Sequence, residues 1–332
     1  MTGIVGTVLA PILQEKEEVF CIVRNAKNRI NGEYLNGIVA NNIIEGDIQK
    51  SLCGLSAKDY NKLKDKNIEK IVHLAGLLKF DEELSSEIWS VNYSGTQNVI
   101  DLAKKLNIRE IHHASTAYAL GKPRNPYESS KLAAENLIKN SGKCFSIYRI
   151  SIVVGNSNTG EISAFDGIYG FISVLYRAYN RYKFNGNMRI YIDCSFQSTM
   201  NIIPIDSVVY AFVKLFEKQS LGKTFYITHP KPPKVIWVIK QAFEFLKIDG
   251  IKYNDYTQSQ PSQSDRLLKI LQKGVNKQLS RYRPYATEEK QFSLETTIDA
   301  LKEEYKEPPL ITSEILQRLL QYAISKNFGK PK

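Results

Sequence analysis

Three side chains near the middle of the chain are suited to proton transfer at a carbonyl group. Tyr127 and Lys131 stand four positions apart in YESSK, a stretch predicted to be helical, so they share one helix face. A neighbouring ammonium group favours the ionised phenol, which makes Tyr127 a usable proton donor near neutral pH. Thr116 ends a predicted strand and would donate a hydrogen bond to a substrate oxygen. Because Tyr-x-x-x-Lys also arises by chance on solvated helix faces, the surrounding elements decide its meaning.

The first 155 residues alternate between predicted strands and helices. Short apolar runs predict strands, and apolar residues at helical spacing predict two long helices. Strand alternating with helix implies parallel strands, right-handed crossovers and a doubly wound α/β sheet. The predicted strands are 19–24, 68–76, 108–116 and 144–155, and the predicted helices are 87–106 and 127–142.

The pattern changes after residue 155, where a polar, glycine-containing stretch predicts a loop. Further helices and strands are predicted at 172–181, 189–193, 201–206, 206–218 and 223–230. We therefore expect two parts. Residues 1–155 with about 201–230 would form a Rossmann-like nucleotide-binding domain, and about 156–200 with 231–332 would form a smaller substrate-binding lobe.

The beginning of the chain, MTGIVGTVLA, carries two glycines in the pattern of a dinucleotide-binding turn. A full fingerprint has three glycines between a strand and a helix. If Gly3 and Gly6 are the second and third, the helix begins near Val5 and has the three turns that a crossover needs. The first glycine and first strand are then missing, because the start codon was placed too late or because the protein is shortened. A chance pair of glycines is the alternative.

Arg24 closes the predicted strand VFCIVR, at the position where dinucleotide sites distinguish their cofactors. An acidic residue there bonds the ribose 2′-hydroxyl of NAD, whereas an arginine suits the 2′-phosphate of NADP. Lys27 and Arg29 follow it. If a dinucleotide binds, the sequence predicts NADP(H) over NAD. The alternative is a surface arginine after an edge strand.

Composition narrows the possible partners of this 332-residue chain, whose formal net charge is +11. The basic residues are spread along the chain and are not gathered into a stripe with interleaved aromatic residues, which favours a solvated surface or an anionic small ligand over nucleic-acid binding. The four cysteines and four histidines show no metal or disulfide spacing, which predicts reduced thiols in a cytoplasmic protein and no metal. The apolar runs are too short to predict a membrane span.

Taken together, these stretches resemble the extended short-chain dehydrogenase/reductases, and more closely their thioester-reductase, male-sterility and fatty acyl-CoA reductase branch. The resemblance covers most of residues 2–210 in the family's order, and the last third of the chain matches loosely. The stretches most specific to the branch are EGDIQKSLCGLS (45–56) and VVGNSNTGEISAFDG (153–167). The more general ones are TGIVG, IVHLAG, VNYSGTQNVIDLA, STAYALG and NPYESSK.

The resemblance implies roles for individual residues. Thr116, Tyr127 and Lys131 would form the catalytic set, the last two also contacting the cofactor. Arg24 would bind the 2′-phosphate, and Asn92 would support the backbone near the active site. The remaining residues would contact the pyrophosphate, adenine, adenosine ribose and nicotinamide in turn: Gly3, Gly6, Asp47, Ile48, Leu74, Ala75, Gly76, Ile150, Ser151 and Val153.

The activity that the resemblance implies is NADPH-dependent reduction of a carbonyl, with an acyl thioester on coenzyme A or an acyl carrier protein as the leading substrate class. The product would be an aldehyde or alcohol. A ketone, sterol or nucleotide sugar is an alternative substrate, and a dinucleotide-binding scaffold without turnover is an alternative function. The segment between Thr116 and Tyr127 is short for the family, so substrate preference does not carry over. Members often dimerise through helices that correspond to 87–106 and 127–142.

Overall fold

The computed structural model of the protein describes residues 3–26, 38–182, 189–218, 221–255 and 266–329. Strands and helices alternate in both of the units into which the chain divides. The first unit contains Met1–Ser151, Ile205–Thr228 and Phe292–Glu307, and the second contains Ile152–Pro204, His229–Gln291 and Pro308–Lys332.

The first unit begins with helix α1 (Ile4–Gln14), which starts one residue before the predicted position. Strand β1 (Cys21–Val23) follows and pairs in parallel with β2 (Ile43–Glu45). In the described part of the chain, these two strands form a separate ladder and pair with no third strand. Helix α1 buries Leu9 and other apolar residues, which fixes it on the unit although it carries Pro11.

Four further strands of the first unit form its main sheet. In sheet order these are β3 (Lys70–His73), β4 (Glu110–Thr116), β5 (Cys144–Ile150) and β9 (Lys223–Ile227), and every neighbouring pair is parallel. The predicted parallel α/β architecture is therefore confirmed. The ladder of β1 and β2 is not hydrogen-bonded to β3 among the described residues.

Helices cover the main sheet and join it to the smaller ladder. The helices of this unit after α1 are α2 (Ala57–Asp65), α3 (Ser85–Trp89), α4 (Gly95–Lys105), α5 (Pro126–Lys139), α7 (Ile205–Glu217) and α11 (Glu295–Leu301). Ile22 of β1 and Ile71 of β3 both pack against the cluster of Cys53, Val99 and Leu102. A shared apolar core under α4 therefore holds the two ladders in one unit.

Two predicted elements differ from the structure. The single helix predicted at 87–106 is α3 and α4 joined by a π-helical turn at Ser90–Ser94. The single strand predicted at 144–155 is wrong, because the chain breaks at Ser151 and continues as β6 (Ile152–Val154). Ser151 N donates to Ile227 O of the main sheet, whereas Ile152 N donates to Asn201 O, so the two halves follow different partners.

The segment Phe292–Glu307 belongs to the first unit, although the sequence expectation placed it in the substrate-binding lobe. Thr297 Oγ1 donates to Tyr226 O of β9 at 2.8 Å. Tyr210 OH of α7 donates to Glu304 O at 2.8 Å. These contacts are formed between residues far apart in sequence, which local periodicity does not report.

The second unit contains two short parallel ladders and its own helices. Strand β6 pairs with β8 (Ile202–Pro204), and β7 (Ile190–Cys194) pairs with β10 (Ile251–Asp255). Its helices are α6 (Ile168–Tyr182), α8 (Val235–Phe245), α9 (Arg266–Leu279), α10 (Arg283–Thr287) and α12 (Ser313–Ser325). None of the helices within the described ranges is both long and apolar enough to cross a membrane.

Candidate functional site

Helix α5 carries Tyr127 in its first turn because the residues before it form a strong helix start. The side-chain oxygen of Asn125 accepts a hydrogen bond from Glu128 N at 3.0 Å, and Pro126 occupies the first helical position. The partly buried ring of Tyr127 meets the ring of Phe80 edge-on, with centroids 5.9 Å apart. A capped helix end, rather than a loop, therefore positions the phenol.

Lys131 lies one turn further along α5 and has 4% of its surface exposed. Its Nζ donates to Ala114 O at 2.6 Å and lies 3.3 Å from His113 Nε2. Burial lowers the pKa of Lys131 to about 8, and the Glu135 carboxylate partly offsets this effect. The amine is therefore largely protonated at neutral pH. Ala114 and His113 can take two of its three N–H groups, and the described structure shows no acceptor for the third.

Thr116 is buried at the end of β4. Its Oγ1 accepts a hydrogen bond from Tyr118 N at 3.2 Å and thereby caps the 3₁₀ turn Ala117–Ala119. This contact uses the hydroxyl as an acceptor, so its proton can donate to a carbonyl oxygen. Thr116 stands two residues beyond Ala114, whose carbonyl holds Lys131.

Gly76 lies beside both Asn92 and the Lys131 amine. Asn92 is buried in the π-helical turn, where its side chain accepts from Leu77 N at 2.7 Å and donates to Ser130 Oγ of α5 at 3.0 Å. A Cβ on Gly76 would lie 3.3 Å from Asn92 Oδ1 and 3.9 Å from Lys131 Nζ. A side chain at Gly76 would therefore crowd Asn92 and lie against the ammonium group of Lys131.

A second set of buried polar residues fixes α5 on the sheet and was not predicted from the sequence. The Glu135 carboxylate accepts from Arg149 Nε and Nη2 at 2.9 and 2.8 Å and from Ser115 Oγ at 2.6 Å. Arg149 Nη1 also donates to Tyr226 OH at 2.5 Å. These contacts pay part of the cost of burying Glu135, which has no exposed surface. They also anchor the strand residue next to Thr116.

His113 is not among the residues predicted from the sequence, and it lies on β4 with its side chain toward Lys131 of α5. Alternation along a strand places His113 and Ser115 on one face. The spacing of four between Lys131 and Glu135 places those side chains on one helix face. The two periodicities read together would have indicated a facing set of polar residues, but only for a strand and helix already known to be packed.

The glycine end of the first unit has a simpler environment. Gly3 is exposed and caps α1 with extended backbone angles, and no described atom lies within 4 Å of a Cβ built on it. Gly6 is buried in the first turn of α1. Among the described residues, no side chain caps this helix start. The structure therefore offers open space and helix amides here, which is what a pyrophosphate needs.

Arg24 is exposed directly after β1, in a turn that is held by β2. Glu45 Oε1 accepts from Asn25 N at 2.8 Å, and Glu45 Oε2 accepts from Ala26 N at 2.6 Å. Lys27 and Arg29, which the sequence analysis also considered, lie outside the described residues. The guanidinium is thus presented to solvent from a backbone that a carboxylate holds in place.

The other residues predicted to contact a cofactor follow strand ends. Asp47 and Ile48 follow β2, and Ile48 O accepts from Asn98 Nδ2 at 2.7 Å. Leu74 and Ala75 lead from β3 to Gly76. Ile150 ends β5, Ser151 links β5 to β6, and Val153 lies within β6 of the second unit. The carboxyl ends of parallel strands are where open α/β sheets bind ligands. The contacts described above bring Gly76, Asn92 and Lys131 together.

Known proteins resemble this chain in sequence and structure. The model of an NAD-binding family described as male sterility protein matches residues 1–125 and 119–212. Fatty acyl-CoA reductase wat from Drosophila melanogaster is 32% identical over 126 residues, which cover 35% of this chain and 24% of that protein. The aligned part of the chain thus spans 24% of the length of this curated relative.

Two solved structures share the fold over nearly the whole chain. The terminal R domain from the myxalamid PKS-NRPS biosynthetic pathway is 22% identical with a TM-score of 0.73, and the match covers 98% of this chain and 89% of that one. A thiolation-reductase di-domain from an archaeal non-ribosomal peptide synthetase is 18% identical with a TM-score of 0.68, covering 99% of this chain and 75% of that one. At these identities the likeness shows the fold.

Proposed function

The chain belongs to the male sterility protein family, and on this premise we propose that it is an NADPH-dependent reductase of acyl thioesters carried on coenzyme A or a carrier protein. The observation that carries the proposal is the buried Lys131, which keeps one N–H for a ligand beside Gly76 and one helical turn from Tyr127. A lysine used only for packing would not need a residue without a side chain next to its amine.

The residues present fit a nicotinamide dinucleotide. Because Gly76 has no side chain, it would let a ribose hydroxyl approach Lys131 Nζ. The uncapped start of α1 at Gly3 can take the pyrophosphate. Arg24 is exposed and can pair with a 2′-phosphate. When bound, the reduced cofactor would supply the hydride.

The chain's own residues would manage the charge and the proton. Thr116 would donate a hydrogen bond to the carbonyl oxygen, and Tyr127 would protonate that oxygen as negative charge develops on it. Lys131 in its charged form would make the phenol a better acid. With a thioester, loss of the thiol from the resulting hemithioacetal gives an aldehyde, which a second round would reduce to an alcohol.

The thioester substrate is supported by the named relatives rather than by the pocket. The Drosophila protein is named a fatty acyl-CoA reductase, and the two structural relatives are a terminal R domain of a PKS-NRPS pathway and a thiolation-reductase di-domain of a non-ribosomal peptide synthetase. A net charge of +11 suits the phosphates of coenzyme A or an acidic carrier protein.

The first test is a fluorescence titration of the purified chain with NADPH and, in parallel, NADH. We expect NADPH to bind more tightly, and Arg24→Ala to weaken NADPH binding by about ten- to hundredfold while leaving NADH unchanged. The matched control is Arg109→Ala, an exposed arginine before β4. NADPH consumption with a series of acyl-CoA substrates then tests the activity.

Two outcomes would count against the proposal. Folded protein that binds neither cofactor would exclude the reductase. Folded protein that binds NADPH but reduces no thioester, ketone or aldehyde would favour a dinucleotide-binding scaffold.

A further inference from the structure

Two histidines form a buried pair beside the proposed catalytic lysine. His73 ends β3 and His113 lies opposite it on β4, in parallel register. Their ring centroids are 4.9 Å apart, and both side chains are buried. Burial lowers the pKa of His73 to about 3 and that of His113 well below its usual range, with the charge of Lys131 adding to both effects. Both rings are therefore neutral at physiological pH.

The contacts of each ring determine which nitrogen carries the proton. An ammonium group can only donate, so His113 Nε2, 3.3 Å from Lys131 Nζ, must be the unprotonated nitrogen. The proton of His113 is then on Nδ1. His73 has the opposite arrangement, because Thr96 gives its hydroxyl proton to Asn92 O at 2.6 Å and so accepts from His73 Nε2 at 2.9 Å.

The Nδ1 atom of His113 is buried and has no hydrogen-bond partner among the described residues. A buried donor without a partner costs stability, whereas an aliphatic side chain of similar size would fill the same space without that cost. Packing alone therefore does not explain an imidazole at this position. The contact that an aliphatic residue could not make is the one to Lys131.

We propose that His113 is a positioning residue for Lys131. Nε2 of His113 accepts a hydrogen bond from the Lys131 ammonium and holds this charged group beside Gly76. Of the described side chains, only His113 accepts a hydrogen bond from Lys131 Nζ. The second acceptor, Ala114 O, belongs to the same strand. Two acceptors from β4 thus fix the direction of the third N–H, which is the one that a ligand can use.

The other groups around Lys131 do not replace this contact. Glu135, on the same helix, favours the charged amine through space, but its oxygens are bonded to Arg149 and Ser115. His73 is neutral and engaged with Thr96. Tyr127 lies four residues earlier on the same helix and is the group that the charge is proposed to serve. The catalytic consequence of this contact rests on the proposed function, whereas the titration of Lys131 that tests the contact does not.

The test follows the titration of Lys131 directly, in folded protein without substrate, by NMR of ¹³Cε-labelled lysine, with the signal assigned by its loss in Lys131→Arg. Three substitutions separate size, polarity and acceptor position. His113→Leu removes the acceptor, His113→Asn keeps an amide at the position of Nδ1, and His113→Gln places an amide oxygen at the position of Nε2. We expect the midpoint for Lys131 to move to lower pH in the Leu and Asn variants and to stay near wild type in the Gln variant.

Equal midpoints in the wild type and in folded His113→Asn and His113→Leu would overturn the proposal. If the Leu variant does not fold, the comparison of Asn with Gln decides. The control is His73→Leu, which loses the bond to Thr96 but no bond to Lys131, and in which the midpoint should not fall.

Activity measurements separate this proposal from the reductase assignment. A midpoint that falls in His113→Leu in a protein without reductase activity would uphold the role of His113 and reject the proposed function. Reductase activity combined with an unchanged Lys131 midpoint and an unchanged alkaline limb of kcat/KM in the His113 variants would uphold the proposed function and reject the role of His113. If the reductase function and the role of His113 are both correct, the alkaline limb of kcat/KM should move to lower pH together with the NMR midpoint in His113→Leu, and it should lie near its wild-type pH in His113→Gln.

Discussion

The two ends of the first unit are built differently. Around Lys131, polar atoms of two strands, a π-helical turn and α5 are buried and joined by hydrogen bonds. At the glycine end, Gly3 is exposed, and β1 and β2 form a ladder of three residues each that is separate from the main sheet in the described structure. The side chains of the proposed proton-transfer site are therefore held in place by the fold, whereas the proposed phosphate-binding site has fewer contacts of its own and would be ordered more by its ligand.

The largest effect is expected from Tyr127→Phe, which tests whether the end of the first unit around Lys131 is catalytic. Removal of the proton donor should lower kcat for acyl-CoA reduction by about 10²- to 10⁴-fold, while NADPH affinity changes far less. Tyr93→Phe is a matched control, because Tyr93 is an exposed phenol whose ring packs against Trp89 and for which no catalytic role is proposed. Equal loss in both variants, or no loss in Tyr127→Phe, would contradict the assignment of the acid.

This contrast also explains how much the sequence could reveal. The helix start of Asn125 and Pro126, the strand end at Thr116 and the spacing of Tyr127 and Lys131 are local signals, and the structure bears out the elements that they predict. The break at Ser151 depends on which distant strand each half pairs with. Local apolarity is the same on both sides of that break, so sequence reasoning joined the two strands.

The polar contacts inside the site were beyond local signals for a related reason. The bond between His113 and Lys131 spans 18 residues and that between Glu135 and Arg149 spans 14. Each residue alone resembles a core histidine or a solvated charge. Only the packing of α5 against β4 and β5 gives them partners, and a pattern within one element does not encode that packing.

The second-largest effect is expected from Glu135→Gln, which removes a buried carboxylate near Lys131 and leaves Tyr127 unchanged. Loss of the carboxylate disfavours the charged amine, so the pKa of Lys131 should fall below its value of about 8. Reduction needs the charged amine, so activity is present below this pKa and lost above it, and the alkaline limb of kcat/KM should move to lower pH. Arg149 also loses a partner, which should cost about 3 kcal/mol of unfolding free energy.

A control for Glu135→Gln must reproduce the loss of stability without the electrostatic change. Glu128 is also fully buried on α5 and pairs with Arg124 at 2.7 Å. Glu128→Gln should therefore lose stability in urea unfolding but keep the alkaline limb at the wild-type pH. If both variants move the limb equally, the effect comes from general loosening of α5 and not from the charge of Glu135.

The smallest effects come from adding one methyl group at each end, and they test the contrast most directly. In Gly76→Ala the new Cβ meets Asn92 Oδ1 at 3.3 Å, so Asn92 must shift. Such overpacking should cost about 1 kcal/mol of unfolding free energy and lower activity. In Gly3→Ala the Cβ meets no described atom, and the backbone angles suit alanine. The lost N-cap preference and the reduced unfolded-state entropy oppose each other, so stability should change by less than about 0.5 kcal/mol.

The NADPH affinity of Gly3→Ala tests whether the cofactor's pyrophosphate lies in the open space at Gly3. If a pyrophosphate lies against Gly3, the methyl group occupies space that the ligand needs, and NADPH should bind several-fold more weakly to a Gly3→Ala protein of unchanged stability. Titration and urea unfolding with and without NADPH measure both quantities on the same sample. Wild-type affinity in Gly3→Ala would mean that the glycine pair is a chance pattern. The cofactor would then be held mainly from the Lys131 side, where Gly76→Ala should weaken its binding.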